Sequence, residues 1–510
     1  MRLFRNLLTA FLLVLSVTVL AHSEPVDLEM VHRIRQEGLH NSQIRDISFY
    51  LTDVIGPRLS GSTGLSNAYT WTSETFEEWG LSNVDVSPWG EFGRGWDNER
   101  FYIAMTEPYY QHLIAVPRAW TRGTDSLVVA NPVLVNIRNE EDFEKYRGKL
   151  RNKVVVTPVT SEPELSFSPM AFRWEDDDLE RLAQYPEISS PPYGQPQRQQ
   201  SDWFTQRAFS RKVTDFLEEE GVLAMLNASG TFGAVRSHGR GYNVNVEPGL
   251  AQVDMTFEHY GRIVRLLEAG IDVELELDIR NRFHYEDQMG YNVIAEIPGT
   301  DPVLKDEVVI IGGHLDSWHA GTGGNDNASG VAVMMEVMRI FRELDINPRR
   351  TVRIALWGAE EQGLHGSRNY VRENYFDPAD GGRKPDYDKF SAYYNVDNGS
   401  GKIRGIYLQE NDALRPIFKA WFEPLEDLGV NTVTLRRTGS TDHVAFDAVG
   451  LPGFQFIQDR LDYGRGYHTN MDTFERMHLG DMMQAATVVA VLVYHTAMRD
   501  EKLPRKQFDR

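Results

Sequence analysis

The pattern of apolar and polar positions divides the chain into two textures. From Tyr291 onward, apolar runs of strand length recur at Val293–Ile297, Val308–Gly312, Val352–Trp357, Ser391–Val396 and Phe454–Ile457. Runs of helical length lie between them, notably Ala328–Phe341, and Met482–Met498 forms a long final helix. Strand, helix, strand in repetition predicts an α/β fold: a mostly parallel central sheet with helices on both faces.

Upstream the texture is mixed. Leu28–Trp79 reads as helical, broken by the turn-rich run Gly56-Pro57-Arg58-Leu59-Ser60-Gly61-Ser62. Strand-like alternation follows at Asn83–Pro88 and Arg100–Met105, with short strands at Val128–Val135 and Lys153–Val159. A polar, acidic and Pro-rich stretch then runs towards Trp203, including Glu175–Asp178 and Pro191-Pro192, and reads as a surface excursion. Lys212–Glu220 and Phe257–Ala269 have helical character, the second with Ile263, Leu266 and Leu267 on one face; Val222–Leu226 and Val273–Phe283 read as strands.

The first residues change the picture of where the chain works. Arg2 and Arg5 precede an apolar run, Leu7–Leu20, with Val19-Leu20-Ala21 at the end. This reads as a signal peptide over residues 1–21, with a retained anchor as the alternative. The expected location is therefore periplasmic or extracellular, and no later run has the length of a membrane span. The chain has 510 residues, which implies several domains, and no cysteine, which excludes disulfides, thiolate ligands, cysteine nucleophiles and lipoprotein attachment. A net charge of −21 disfavours nucleic acid or anionic membrane as the main partner and leaves cations welcome.

In a parallel sheet, chemistry gathers just beyond the C-terminal ends of the strands. There the chain places Gly313-His314-Leu315-Asp316, Gly323-Gly324-Asn325-Asp326-Asn327, Gly358-Ala359-Glu360-Glu361, Asp397 and Tyr467-His468. Two imidazoles and several carboxylates suit two divalent ions. A carboxylate bridging two ions about 3.5–4 Å apart would activate a water and polarise a carbonyl together. In the adjacent pair Glu360-Glu361 the natural division is one ligand and one proton shuttle. Asp316, two residues from His314, is placed to orient that imidazole. Each motif alone has a bland reading: a turn, a surface pair, or a helix cap near Ala328. Their joint occurrence in order, each after a strand, favours the metal centre.

These motifs resemble the zinc-dependent aminopeptidase family that also contains glutamate carboxypeptidase and carboxypeptidase Q. The resemblance runs through Gly313-His314-Leu315-Asp316-Ser317-Trp318, Asp326-Asn327-Ala328-Ser329-Gly330, Leu356-Trp357-Gly358-Ala359-Glu360-Glu361-Gln362-Gly363, Asn395-Val396-Asp397 and His468, and is nearest to the carboxypeptidase Q-like branch. Pro57-Arg58-Leu59-Ser60-Gly61-Ser62 resembles the family's N-terminal segment. The resemblance implies that His314, Asp326, Glu361, Asp397 and His468 bind two zinc ions, with Asp326 bridging, His314 paired with Asp397 and Glu361 with His468. It implies Glu360 as general base and Tyr467 as an oxyanion donor. It also implies a protease-associated domain inserted over residues 122–282, between an N-terminal part of the peptidase (26–121) and the main peptidase domain (283–500).

The same ligands suit manganese or cobalt. The expected substrate is a peptide or dipeptide cut at a chain end, with aminopeptidase and carboxypeptidase or dipeptidase activity both open. Arg460 and Arg465, before His468, are candidates for holding a free carboxylate. Monomer and homodimer both stay open. Rival readings on the same fold are a non-catalytic binding protein and a glutaminyl cyclase. His319 and His365 read as bystanders, and the chain has no HExxH, nucleophile elbow or P-loop.

Overall fold

Eight strands build the central sheet: β1 (Ser82–Glu91), β2 (Met289–Ile297), β3 (Val308–His314), β4 (Thr351–Trp357), β5 (Phe390–Asn395), β6 (Ile403–Tyr407), β7 (Thr432–Thr434) and β8 (Gly453–Gln458). The structure is a computed structural model and describes residues 24–124, 126–185 and 200–507. The strand order is β1-β2-β4-β3-β5-β8-β6-β7. The four central strands, β4, β3, β5 and β8, are parallel. β2 runs antiparallel to β1 and β4, and β6 antiparallel to β8. These antiparallel flanks depart from the repeated strand–helix pattern, because strand direction is set by the connections rather than by apolar runs.

Period-two alternation sends the strands' side chains to two cores. Val309 and Ile311 of β3, with Val352, Ile354 and Leu356 of β4, face the larger core. There they meet residues of α1 (Leu28–His40), α2 (Thr63–Glu78), α3 (Ser329–Glu343) and α5 (Leu479–Met498). Val308, Ile310, Ala355 and Trp357 face the other core with Tyr370 and Val371 of α4 (His365–Asn374). α5 is buried along almost its whole length and packs on α3 and α1. A helix apolar all round belongs inside a large domain. No helix among the described residues is long and apolar enough to cross a membrane.

Between β1 and β2 the chain forms two further sheets. In one, Gly95–Glu107 pairs antiparallel with Glu274–His284. The other runs, in order, through Ala115–Pro117, Gln252–Met255, Ala224–Ala228, Val154–Val156 and Pro132–Leu134. Ile103, Leu226, Val253, Ile263 and Leu277 share their core. These sheets therefore draw on residues from Gly95, ahead of the boundary at 122 expected from sequence. The long partner of Glu274–His284 lies on the near side of that boundary. The signal-peptide expectation for residues 1–21 lies outside the described residues, as do residues 186–199 of the acidic excursion.

Candidate metal centre

Because β3, β4, β5 and β8 are parallel, their C-terminal ends reach one edge. His314 is the last residue of β3, Glu360-Glu361 follow β4, Asp397 follows β5, and the loop to His468 follows β8. Asp326 comes from the loop entering α3. His314 Nε2 lies 3.2 Å from Asp326 Oδ1 and 3.4 Å from Asp397 Oδ1. His468 Nε2 lies 3.2 Å from Asp326 Oδ2 and 2.8 Å from Glu361 Oε2. Two donor groups result, His314/Asp326/Asp397 and Asp326/Glu361/His468, and they share Asp326. All five predicted ligand residues thus meet in one place.

The surrounding chain fixes their directions. His314 Nδ1–H donates to the carbonyl oxygen of Asp316 at 2.9 Å, which turns Nε2 towards the acids. The carboxylate of Asp316 sits farther off, 3.7 Å from Nδ1, and does something else. It accepts the main-chain N–H groups of Glu360 (3.1 Å) and Glu361 (3.3 Å) and the hydroxyl of Ser60 (3.1 Å). Asp316 therefore orients the imidazole through its carbonyl and the acidic pair through its carboxylate.

Three further residues hold the candidate ligands; Arg58 and Trp318 lie in motifs quoted above without a role, and Asp472 was not among them. Asp472 accepts the N–H groups of Asn325 (2.6 Å) and Asp326 (3.1 Å). Trp318 Nε1–H donates to Glu361 Oε2 at 2.9 Å. Arg58, fully buried, donates to the carbonyls of Leu315 (2.8 Å), Thr322 (2.8 Å) and Gly323 (2.9 Å), tying the turn-rich N-terminal segment under the loop between His314 and Asp326. Gly330 opens α3 against β5: a Cβ there would fall 2.1 Å from the carbonyl oxygen of Val396. Asn327 is fully buried, with Nδ2 donating to that same carbonyl at 2.9 Å.

The electrostatics ask for positive charge. Asp326 Oδ2 and Glu361 Oε1 are buried without a hydrogen-bond partner; the 3.2 Å approach of His468 to Asp326 Oδ2 lacks hydrogen-bond alignment. Desolvated carboxylate oxygens without donors are costly unless a cation meets them. Burial pushes the Glu361 carboxyl up to about 7, with Asp326 adding to the shift. Burial alone would lower the His468 imidazole, but the nearby Asp326 and Glu361 carboxylates lift it to about 9. Burial raises the Glu360 carboxyl well above its usual range. The oxygen-rich, cysteine-free donor set fits divalent ions such as zinc.

The centre opens into a cleft of about 240 Å³ lined by Glu360, Asp397, Tyr463, Tyr467 and Arg460, among others. Tyr467 stacks on the His468 ring with centroids 3.7 Å apart, and the Arg236 guanidinium lies over it at 5.0 Å. Tyr463, one turn earlier, is buried and also lines the cleft; the four-residue spacing to Tyr467 was the available signal. His319 turns away, with Nε2 on the Pro117 carbonyl at 2.7 Å, and His365 stacks on Trp89 at 5.6 Å. The buried His443 meets the Thr438 carbonyl at 3.2 Å.

A parallel sheet carrying this donor set at one edge defines a zinc metallopeptidase fold, and comparison with known proteins agrees. Residues 292–493 match the profile of peptidase family M28. Carboxypeptidase Q of Mus musculus is 26% identical over 459 residues, covering 89% of this chain and 86% of its own. The crystal structure of a peptidase M28 precursor from Shewanella amazonensis SB2B superposes with a TM-score of 0.65 at 23% identity, covering 94% of this chain and 99% of that one. A zinc aminopeptidase from Bacillus subtilis gives 0.54 at 18% identity, over 90% and 96%. Residues 292–493 thus resemble the peptidase family M28 domain, and the chain is a zinc metallopeptidase.

Proposed function

We propose that this chain is an exported exopeptidase that works with two zinc ions, held by His314, Asp326 and Asp397 on one side and Asp326, Glu361 and His468 on the other. The observation that carries the reading is the sharing of Asp326 between the two donor groups. When bound, such ions supply Lewis acidity that polarises a peptide carbonyl and acidifies a water.

The chain's own residues do the rest. Glu360 accepts a proton from the attacking water and returns it to the nitrogen of the leaving amine as the C–N bond breaks. Its buried carboxyl, with raised proton affinity, suits a group that must take up a proton and keep it briefly. Asp316 keeps Glu360 and Glu361 in register by holding both main-chain N–H groups. The Tyr467 hydroxyl, beside His468 in the cleft, donates to the oxygen that gains charge. The protease-associated insertion expected over residues 122–282 braces the loop that carries His468; its support is the pairing of Arg236 with Thr469 beside His468. Export rests on the basic residues and apolar run at the N-terminus.

The test is elemental analysis and peptide hydrolysis by the purified chain and by Glu360→Gln. The expected result is full metal content in both and at least a 100-fold loss of kcat in the variant, the usual scale for a missing proton carrier. Undiminished hydrolysis by the variant removes Glu360 from the mechanism.

A further inference from the structure

The cleft floor is acidic. Among its lining residues Asp326, Glu360, Glu361 and Asp397 are carboxylates, and Arg460 is the single arginine or lysine. Arg460 is exposed and makes no ion pair among the described residues. The neighbouring arginines are otherwise engaged or turned away. Arg236 lies over the Tyr467 ring, Arg437 pairs with Asp447 at 3.1 Å, and Arg465 is not part of the cleft lining. An unpaired arginine at the rim of a carboxylate-lined cleft is available to an anionic group of a bound substrate.

The backbone around Arg460 is held from outside. A strap, Phe172–Trp174, comes from the acidic excursion and grips the residues on both sides. Phe172 N–H donates to the Leu461 carbonyl at 3.1 Å, and Leu461 N–H returns to Phe172 at 2.9 Å. Arg173 Nη1 meets the buried Asp459 carboxylate at 2.8 Å and that of Asp481 at 2.6 Å. Trp174 Nε1–H donates to the Gln458 carbonyl at 2.8 Å, and its main-chain N–H to Asp459 Oδ1 at 3.0 Å. Residues 458, 459 and 461 are thus tied while the Arg460 side chain is left open to the cleft. A charge presented on a fixed backbone loses less entropy when it binds.

We infer that Arg460, presented by the Phe172–Trp174 strap, anchors the free α-carboxylate of the substrate's C-terminal residue, so that the cleft takes short peptides with an unblocked C-terminus. The inference rests on the exopeptidase reading above and deepens it by naming the end that is read. A guanidinium offers two parallel N–H donors that match a carboxylate and find no such match in a C-terminal amide. Arg460 is then a specificity residue, and Arg173 and Trp174 are positioning residues that act through the backbone of Asp459 and Leu461.

The experiment compares a short peptide with its C-terminal amide on the zinc-loaded full chain, on Arg460→Gln, on Arg460→Lys and on Arg173→Ala. Loss of a charge-assisted pair predicts a roughly 10- to 100-fold preference of the unaltered chain for the free acid. Arg460→Gln should raise KM for the acid by that factor, leave kcat nearly unchanged, and leave the amide within about twofold of the unaltered chain, on the same argument. Arg460→Lys should keep part of the preference, and Arg173→Ala should raise KM for the acid alone. Calorimetric binding of both peptides to zinc-loaded Glu360→Gln should show the same preference without turnover. Equal handling of acid and amide by the unaltered chain, or an equal loss on both in Arg460→Gln, overturns the anchor and leaves the exopeptidase reading standing. No hydrolysis of any peptide by the zinc-loaded chain overturns both.

Discussion

Trp318 Nε1 donates to Glu361 Oε2 at 2.9 Å, while Glu361 Oε1 stays buried without a partner. The indole thereby fixes the carboxylate plane at the metal centre. Trp318 itself packs against Trp120 (ring centroids 6.2 Å) and His468 (5.9 Å), so one aromatic side chain joins the intervening unit, Glu361 and His468. Trp318→Phe keeps the packing and removes the donor. We expect zinc affinity to fall roughly tenfold, the lower end of what outer partners of metal ligands contribute. Competition with a chromophoric chelator measures this, and unchanged affinity would show that the indole N–H is dispensable.

The metal-free protein should lose stability as pH rises. His468 is lifted to about 9 by Asp326 and Glu361, above its ordinary 6.5, so its contribution is complete below about 6.5 and vanishes as pH passes 9. Glu361 is raised to about 7 by burial, so its neutral form likewise favours the fold at low pH and that contribution is lost as pH passes 7. Asp326, held below its usual range by His314 and His468 against the effect of burial, stays ionised throughout this window. Thermal melts of chelator-treated protein should therefore drop between pH 6 and 9, whereas zinc-loaded protein, whose imidazoles give up their protons to bind, should change much less over that range. Parallel melting curves with and without zinc would contradict the assignment.

The intervening unit should tune the second donor group more than the first. Val235 N–H donates to Asn470 Oδ1 at 2.8 Å, Asn470 N–H returns to the Val235 carbonyl at 3.0 Å, and Ser237 N–H donates to the His468 carbonyl at 2.8 Å. His468 itself sits at a positive φ of 59°, a conformation that leans on such neighbours. Asn470→Ala removes one arm of the clamp. We expect one of two zinc-release steps to speed up several-fold and the other to stay the same, read by stopped-flow chelation. Equal acceleration of both steps would mean that the clamp serves the whole fold.

Much of this was legible in the sequence, for a physical reason. Parallel strands bring their ends to one edge, so His314, Glu360, Glu361 and Asp397 could be grouped from apolar runs and the residues at their C-terminal ends. The partners that hold the ligands were not legible. Trp318 and Glu361 are 43 residues apart, and Asp472 and Asp326 are 146 apart, and no local pattern records such a pairing. Asp316, two residues from His314, was expected to orient that imidazole; its carbonyl meets Nδ1, while its carboxylate accepts the N–H groups of Glu360 and Glu361, which the spacing did not foretell. Strand pairing is equally silent in the sequence. Alternation marks a strand at Arg100–Met105 without telling which sheet it joins.

The central claim is that Asp326 serves two ions at once. Zinc titration of the metal-free chain and of Asp326→Ala, with elemental analysis of the saturated proteins, tests it most directly. The account predicts two ions per unaltered chain and a fall in affinity at both sites in the variant, which still folds as judged by its far-ultraviolet circular dichroism. One ion per unaltered chain, or two sites of which only one responds to Asp326→Ala, would contradict it.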